Sequence, residues 1–422
     1  MTAPLRLTVH TRALDDAADL ITATDAEHPV VWLRRGDGMA GFGEAARIEV
    51  DAAHDRSAEI ARQWRELCAR AQVYDEVNLP GTGLIGFGAF AFADDSALPS
   101  TLIVPEVVVG RRDGVAWLTE ISSTPDVSGH LPQESARSSA PTSAPEHPLG
   151  AYWAATLGPG QLDHEGYRRA VTEAVAAISA GELDKVVLAR DLRGSIPPGA
   201  DLRRLVSSLA TAYPDCWTYA VDGMLGASPE TLVTVHGGTV TARVLAGTAA
   251  RGADSDADTQ AAATLATSEK NLEEHRYAVT SVLAALDPYT SALASSEGPF
   301  TLKLPNLWHL ATDVEGTIAQ QTSALDLLDA LHPTAAVAGT PTTRALAEIR
   351  RREPFDRGRY AGPVGWVDAR GDGEWAIALR CAQFHGTSVV AHAGAGIVID
   401  SDPESELLET RVKFRPIVDA LA

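Results

Sequence analysis

Glu406, Glu409 and Lys413 stand at i, i+3 and i+7 in the last segment of the chain, the spacing that sets three side chains on one helical face. Two carboxylates and an ammonium on one stripe can hold a divalent metal together with an anion bound to it. On a solvated helix the same stripe is only a surface salt bridge. Lys185 offers a second piece of chemistry. It lies in Asp184-Lys185-Val186-Val187-Leu188-Ala189-Arg190, which reads as a strand, and on period two it shares a face with Val187 and Ala189. An amine held against apolar neighbours loses solvation; its pKa falls, and the neutral form can act as a base. A lysine at a strand mouth with its ammonium in water has the same sequence. Glu230, in Ser228-Pro229-Glu230-Thr231, sits in a turn beside apolar sequence. There a carboxyl can keep its proton and serve as a general acid, or cap the local backbone. Arg380 falls within the apolar run Glu374 to Ala382, where a cation calls for an anionic partner, a structural carboxylate or a ligand. Gly247 closes Leu245-Ala246-Gly247-Thr248. It permits close backbone approach, and its amide can donate to a carboxylate or merely end a strand.

These residues need elements to hold them. Asp402-Pro403 is an N-cap followed by proline at the first helical position, so the carboxylate stripe starts a helix there. Tyr167, Val171, Val175 and Ile178 mark a helix stopped by Gly181. Cys216 to Val221 and Met224 to Ala227 form a hairpin around Asp222-Gly223. Val364 to Asp368 and Glu374 to Ala382 pair across Arg370-Gly371-Asp372-Gly373. Thr239 to Thr248, Leu307 to Thr312 and Val389 to Ile399 read as further strands. A long helix is expected over roughly Asp258 to Leu286, carrying Glu273-Glu274-His275 on what could be a solvated face. His332 to Pro341 is a structured loop between two short helices. Earlier in the chain, Leu84 to Phe92 alternates Gly and Phe, which suits a strand closely approached by another backbone. Gly394-Ala395-Gly396 precedes more strand and no immediate helix, so a Rossmann loop is rejected; there is no P-loop and no nucleophile elbow.

Composition narrows the partners. With 35 Lys and Arg against 56 Asp and Glu, the formal net charge is −21 over 422 residues, which argues against nucleic acid and acidic membranes. Three isolated cysteines lack metal spacing and read as thiols in a reducing compartment. The first twenty residues carry too much charge for a signal peptide or membrane span. A cytoplasmic protein is expected, with one fold over 1–422: an N-terminal structural part over 1–121, a Ser/Pro-rich surface loop or linker over 122–150, and a catalytic part over 151–422.

In order, the blocks Leu183 to Arg190, Ser228-Pro229-Glu230, Leu245 to Thr248, Ser268 to His275, Leu307-Trp308-His309-Leu310-Ala311-Thr312, His332-Pro333-Thr334, Tyr360 to Trp366, Leu379 to Ala382 and the glycine strand with its final helix resemble the chorismate-utilising enzymes. The likeness covers roughly Asp163 to the C-terminus. It implies an α/β (α+β) fold: two large, mostly antiparallel β-sheets in a sandwich, helices outside, the active site between them at one end. Two positions separate the branches. Ammonia-using anthranilate synthases carry a non-basic residue in place of Lys185, and aminodeoxychorismate synthases a nucleophilic lysine in place of Ala246. The sequence is therefore most similar to isochorismate synthases, isomerases that add water to chorismate at C2 with loss of the C4 hydroxyl. The resemblance implies Lys185 as base and Glu230 as acid. It implies Mg²⁺ held by Glu274 and Glu409, with Glu406 through water. Substrate contacts would come from Arg380, Lys413 and Tyr360, from Gly247 and Thr248, and from Gly394, Ala395 and Gly396, with His309 near the leaving hydroxyl or the ring carboxylate. A monomer without a glutaminase subunit is expected, its product serving menaquinone, a catechol siderophore or salicylate. The rivals are a salicylate synthase, which goes on to eliminate pyruvate, and a non-catalytic chorismate-binding protein.

Overall fold

The structure, a computed structural model, describes residues 5–16, 19–51, 55–125, 147–303, 307–319 and 322–422. Among them, one sheet has 13 strands and the other 10. Pairing is antiparallel throughout except where Leu5–Leu14 runs parallel to Gln72–Asp75. The expected α+β sandwich is what the chain forms.

Period-two alternation builds it. In the strand Val30–Arg34, Trp32 points into the core between the sheets, while Val31 and Leu33 point outward under helices. The inner core joins Trp32, Phe87, Trp366 and Trp375. The outer core joins that outward face to Leu205 and Leu209 of one helix and to Phe414 and Ile417 of the C-terminal helix, Pro403–Leu421. Strands from the first 121 residues are woven into both sheets: Val30–Arg34 pairs with Trp217–Val221, and Ile85–Ala89 with Pro363–Asp368. The Gly/Phe run behaves as its pattern predicts, since a Cβ at Gly88 would lie 2.5 Å from Trp375. Val115–Pro125 is a strand that continues past the start of the segment read as a loop. Of the rest of that segment, 126–146 lies outside the described residues.

Several boundaries follow their signals. Asp402 caps the C-terminal helix by accepting from the Ser405 amide at 2.9 Å. The Trp217–Val221 and Met224–Ser228 hairpin turns on Asp222 (φ 49°) and Gly223 (φ 74°), both in the left-handed region a two-residue I′ turn requires. Other boundaries differ. The long helix is two, Ser255–Thr267 and Glu269–Leu286, because Ser268 breaks the chain and caps the second by accepting from the Asn271 amide. The last strand ends at Ile397, two residues early, where Val398 and Ile399 turn out toward solvent. The expected strand Glu374 to Ala382 is also two elements. Gly373–Ile377 belongs to the 10-stranded sheet and Cys381–His385 to the 13-stranded one, and the chain crosses between them at Ala378 to Arg380. Arg380 sits at φ 50° to make that crossing. Nothing in an uninterrupted apolar run announces it, because a left-handed arginine is rare. No helix among the described residues is long and apolar enough to cross a membrane.

Candidate active site

Two chain crossings lie side by side where the sheets meet, and each brings a charged residue. The first is Pro229-Glu230, between Met224–Ser228 and Thr231–His236. The second is Ala378 to Arg380. They are laced together: the Ile377 amide donates to the Glu230 carbonyl at 3.1 Å and the Ala227 amide to the Arg380 carbonyl at 3.2 Å. Ser228 Oγ donates to the Ile377 carbonyl at 2.6 Å and accepts from the Glu230 amide at 3.2 Å. Glu230 is thus held by its backbone, while among the described residues its carboxyl receives no hydrogen bond. Burial raises the pKa of that carboxyl, against the pull of Lys185, Lys413 and Arg380, and the net direction is up. Burial also lowers the pKa of Arg380, against Tyr360, Cys216, Glu409 and Glu230; an arginine remains a cation under such pressure.

Lys185 enters from the 13-stranded sheet as the first residue of Lys185–Ser195. It is half-buried, with Val187 and Ala189 on its face buried below it. The neighbouring strand, Ser388–Ile397, places Gly396 opposite Val187 and Gly394 opposite Ala189. A Cβ at Gly396 would stand 3.0 Å from Lys185 Cε, so that glycine clears the lysine's path. At Gly394 a Cβ would meet the Leu188 carbonyl at 2.8 Å and the Tyr360 hydroxyl at 3.2 Å. Ala395 differs from its neighbours: it opposes Leu188 and packs into the inner core, so only its backbone can serve a ligand. The Tyr360 phenol is buried, which pushes its pKa up and keeps its proton available for donation.

The C-terminal helix closes the other side. Lys413 Nζ donates to the Gly394 carbonyl at 2.8 Å and pairs with Glu409 at 2.6 Å. Burial lowers its pKa, against Glu409. Glu406, one turn earlier, has its pKa raised by burial and by Glu409, with Ser401 opposing. From the 10-stranded sheet comes His309, in Leu307–Ile318. Burial, with Lys185 and Lys413 nearby, takes its pKa below the ordinary value, while a bond to the Gly247 backbone pulls the other way. Gly247 forms a bulge between Ala246 and Thr248 at φ 77°, a left-handed conformation that favours glycine. Thr248 continues the strand there and pairs with His309; its side chain, like that of Glu274 in Glu269–Leu286, lies outside the described residues. The expected residues with described side chains thus converge, apart from Ala395. Among the described residues no three metal-binding side chains cluster; the expected third carboxylate is Glu274. A cavity of about 200 Å³ lined by Arg34, Arg35, Arg111 and Cys216 lies elsewhere and contains none of these residues.

Two supports escaped sequence reasoning. His275 is buried in place of facing solvent, with Nδ1 3.0 Å from the Ala246 carbonyl and Nε2 2.7 Å from Thr312 Oγ1, so it braces the Gly247 bulge. Its spacing from Val279, Val282 and Leu286 was the available signal, since that stripe faces the core. Arg357 pairs with Glu353 at 2.6 Å and donates to the Val187 and Val337 carbonyls, while Glu353 accepts from the Ala189 amide at 2.8 Å. This buried pair fastens the lysine strand to the His332 loop. As an i,i+4 pair it looks like an ordinary surface ion pair in sequence.

The family model of chorismate binding enzymes matches residues 7–422. The chain belongs to this family of chorismate-binding enzymes. It is 40% identical over 269 residues to isochorismate synthase DhbC of Bacillus subtilis, covering 61% of this chain and 68% of that one. It is 30% identical over 403 residues to isochorismate synthase MenF of the same organism, covering 91% and 85%. Its fold superposes on MenF, the menaquinone-specific isochorismate synthase of Escherichia coli, with a TM-score of 0.74 at 26% identity, covering 100% of this chain and 95% of that one.

Proposed function

We propose that the chain is a magnesium-dependent isochorismate synthase, converting chorismate reversibly to isochorismate. One observation carries the reading: a buried carboxyl of raised proton affinity at the seam, Glu230, lies within electrostatic reach of the amine of Lys185 and of the cations Lys413 and Arg380. The names of the relatives point the same way.

Chorismate is a dianion. Arg380, Lys413 and the Tyr360 hydroxyl suit its enolpyruvyl carboxylate, with the Gly247 and Gly394 to Gly396 backbone alongside. Lys185, as the base, takes a proton from water as the oxygen adds at ring C2. The ring double bonds shift, and Glu230 gives its proton to the hydroxyl leaving C4 as water. Both groups reset when the reverse reaction runs, since nucleophile and leaving group are the same species. His309, whose pKa is lowered by burial, would hydrogen-bond the ring carboxylate or the departing hydroxyl as a neutral imidazole.

The residues present fit a magnesium ion. Glu406 and Glu409 offer hard oxygens from one helical face; burial and then the nearness of Glu409 raise the Glu406 pKa, and a cation would relieve the repulsion between the two. Glu409, Glu274 and, through water, Glu406 would hold it. Bound there, magnesium would neutralise the ring carboxylate and draw electron density from the ring.

The test is incubation with chorismate and Mg²⁺, with and without EDTA, followed by chromatographic identification of products. Isochorismate alone is expected, and none with EDTA; salicylate with pyruvate would indicate the eliminating branch. In the same assay Lys185→Gln should form no isochorismate, and full product from it would remove Lys185 as the base.

A further inference from the structure

Arg190 lies on the lysine strand and is 1% exposed. Its Nε donates to Thr410 Oγ1 at 2.7 Å, and its guanidinium lies over the Phe414 ring, 4.7 Å from the centroid. Thr410 Oγ1 in turn donates to the Leu407 carbonyl at 2.7 Å. Nη1 is buried and has no hydrogen-bond partner among the described residues. The neighbouring carboxylate, Asp191, is occupied by the Gln161 and Leu162 amides and by Arg193. Burial pulls the guanidinium's pKa down to about 10. A buried cation without a full set of acceptors weakens a fold, so the fold alone does not account for this arginine.

Its partner residue does. Thr410 is one turn from Glu406, adjacent to Glu409 and three residues from Lys413. Among the described residues, two side-chain hydrogen bonds join this face of the helix to the sheet: Lys413 to Gly394, and Arg190 to Thr410. Under the proposed function Lys413 turns to the substrate, so its own contact changes during the reaction. The Arg190 contact does not.

We infer that Arg190 is a positioning residue that fixes the rotation of the C-terminal helix, so that Glu406, Glu409 and Lys413 face Lys185 in register. The role rests on the reading of the site as an isochorismate synthase. A displacement of about 1 Å at a reacting centre can lower a rate roughly a hundredfold, and a small turn of a helix moves a glutamate tip that far.

The test uses the full chain with Arg190→Met, Arg190→Lys, Thr410→Val, and the Arg190→Met/Thr410→Val pair. Arg190→Met should lower kcat roughly 10- to 100-fold and raise chorismate KM to a smaller extent, because Lys413 turns with the carboxylates, while the thermal midpoint holds or rises. Arg190→Lys, which keeps a donor, should recover part of the rate. Thr410→Val should act in the same direction, and the double variant should be no slower than Arg190→Met. Amide exchange over 403–414 should quicken in Arg190→Met without matching change elsewhere. Turnover within about twofold of wild type, or losses that simply track a fallen midpoint, would overturn the role. If Arg190→Met does not fold, Arg190→Lys and Thr410→Val decide by the same measures. If the wild type itself makes no isochorismate, the functional reading fails separately, and unchanged exchange over 403–414 would then sink the positioning role.

Discussion

Glu230 and Glu374 both lie where the two sheets meet, and burial pushes both carboxyls toward neutrality. Their fates are opposite. Glu374 receives Trp32 Nε1 at 2.8 Å and Trp366 Nε1 at 3.1 Å on one oxygen, and Arg112 at 3.0 Å and His236 at 2.9 Å on the other. Trp32 and Arg112 come from the 13-stranded sheet, His236 and Trp366 from the 10-stranded one, so the carboxylate rivets the layers. Against burial, His236 and Arg112 lead the groups that bring its pKa down to about 2. No hydrogen bond reaches the Glu230 carboxyl among the described residues, and nearby cations only partly offset burial. Burial alone therefore does not decide whether a carboxyl is a rivet or an acid. The donors supplied to it do.

The largest expected effects separate those roles. Glu230→Gln should cost turnover a factor of about 10² to 10⁴, the usual worth of a positioned acid, while chorismate binding and the thermal midpoint stay close to wild type. Glu374→Ala should do the reverse. It strands two indole N–H groups in the core and leaves the half-buried Arg112 without its carboxylate, so denaturant unfolding should show a loss of about 3–5 kcal/mol, with kcat little changed in the folded fraction. If Glu374→Ala lost turnover before stability, the division would fail.

A pH titration sharpens the same contrast at smaller amplitude. Glu374 has an ordinary pKa of 4.5 unfolded and about 2 folded. Between those values the unfolded chain holds the proton and the fold does not, so this stabilisation is complete above pH 4.5 and is lost as pH falls toward 2, about 3 kcal/mol in all. Glu230 has the opposite sign. Its folded pKa is raised, so its contribution is full below 4.5 and declines as pH rises through the folded value. Urea unfolding from pH 3 to 7 should therefore show the high-pH decline relieved in Glu230→Gln and the acid loss relieved in Glu374→Ala. Unaltered profiles in both would contradict these assignments.

What could be read from sequence divides along similar physical lines. Local rules carried the Asp402 cap, the Asp222-Gly223 turn and the carboxylate stripe, because each is decided within one turn of chain. Period two placed Lys185 over Val187 and Ala189, and the ordered blocks carried the sandwich and the family. The crossing at Arg380 was hidden, since its cause is the neighbouring crossing at Glu230, about 150 residues away in sequence. The break at Ser268 carried a capping signal that helical periodicity on both sides masked. Ala395 was grouped with Gly394 and Gly396 for its backbone, and strand alternation turns its methyl to the core. The Glu353–Arg357 pair looked solvated because burial comes from elements far away in the chain.

The smallest predicted effect tests how the seam holds its acid. Ser228 Oγ ties the Ile377 carbonyl to the Glu230 amide, one crossing to the other. Ser228→Ala leaves that buried carbonyl without this donor, a loss of about 1–3 kcal/mol in unfolding free energy. The Ile377 amide still reaches the Glu230 carbonyl, so the acid keeps its place, and burial of its carboxyl is unchanged. The kcat should fall only severalfold, and the limb of the pH–rate profile set by Glu230, where activity falls as its proton is lost, should not move. A shift of that limb toward higher pH would mean that Ser228 donates to the Glu230 carboxylate and tunes its proton directly. The acid would then depend on a donor after all, and the contrast with Glu374 would be one of degree.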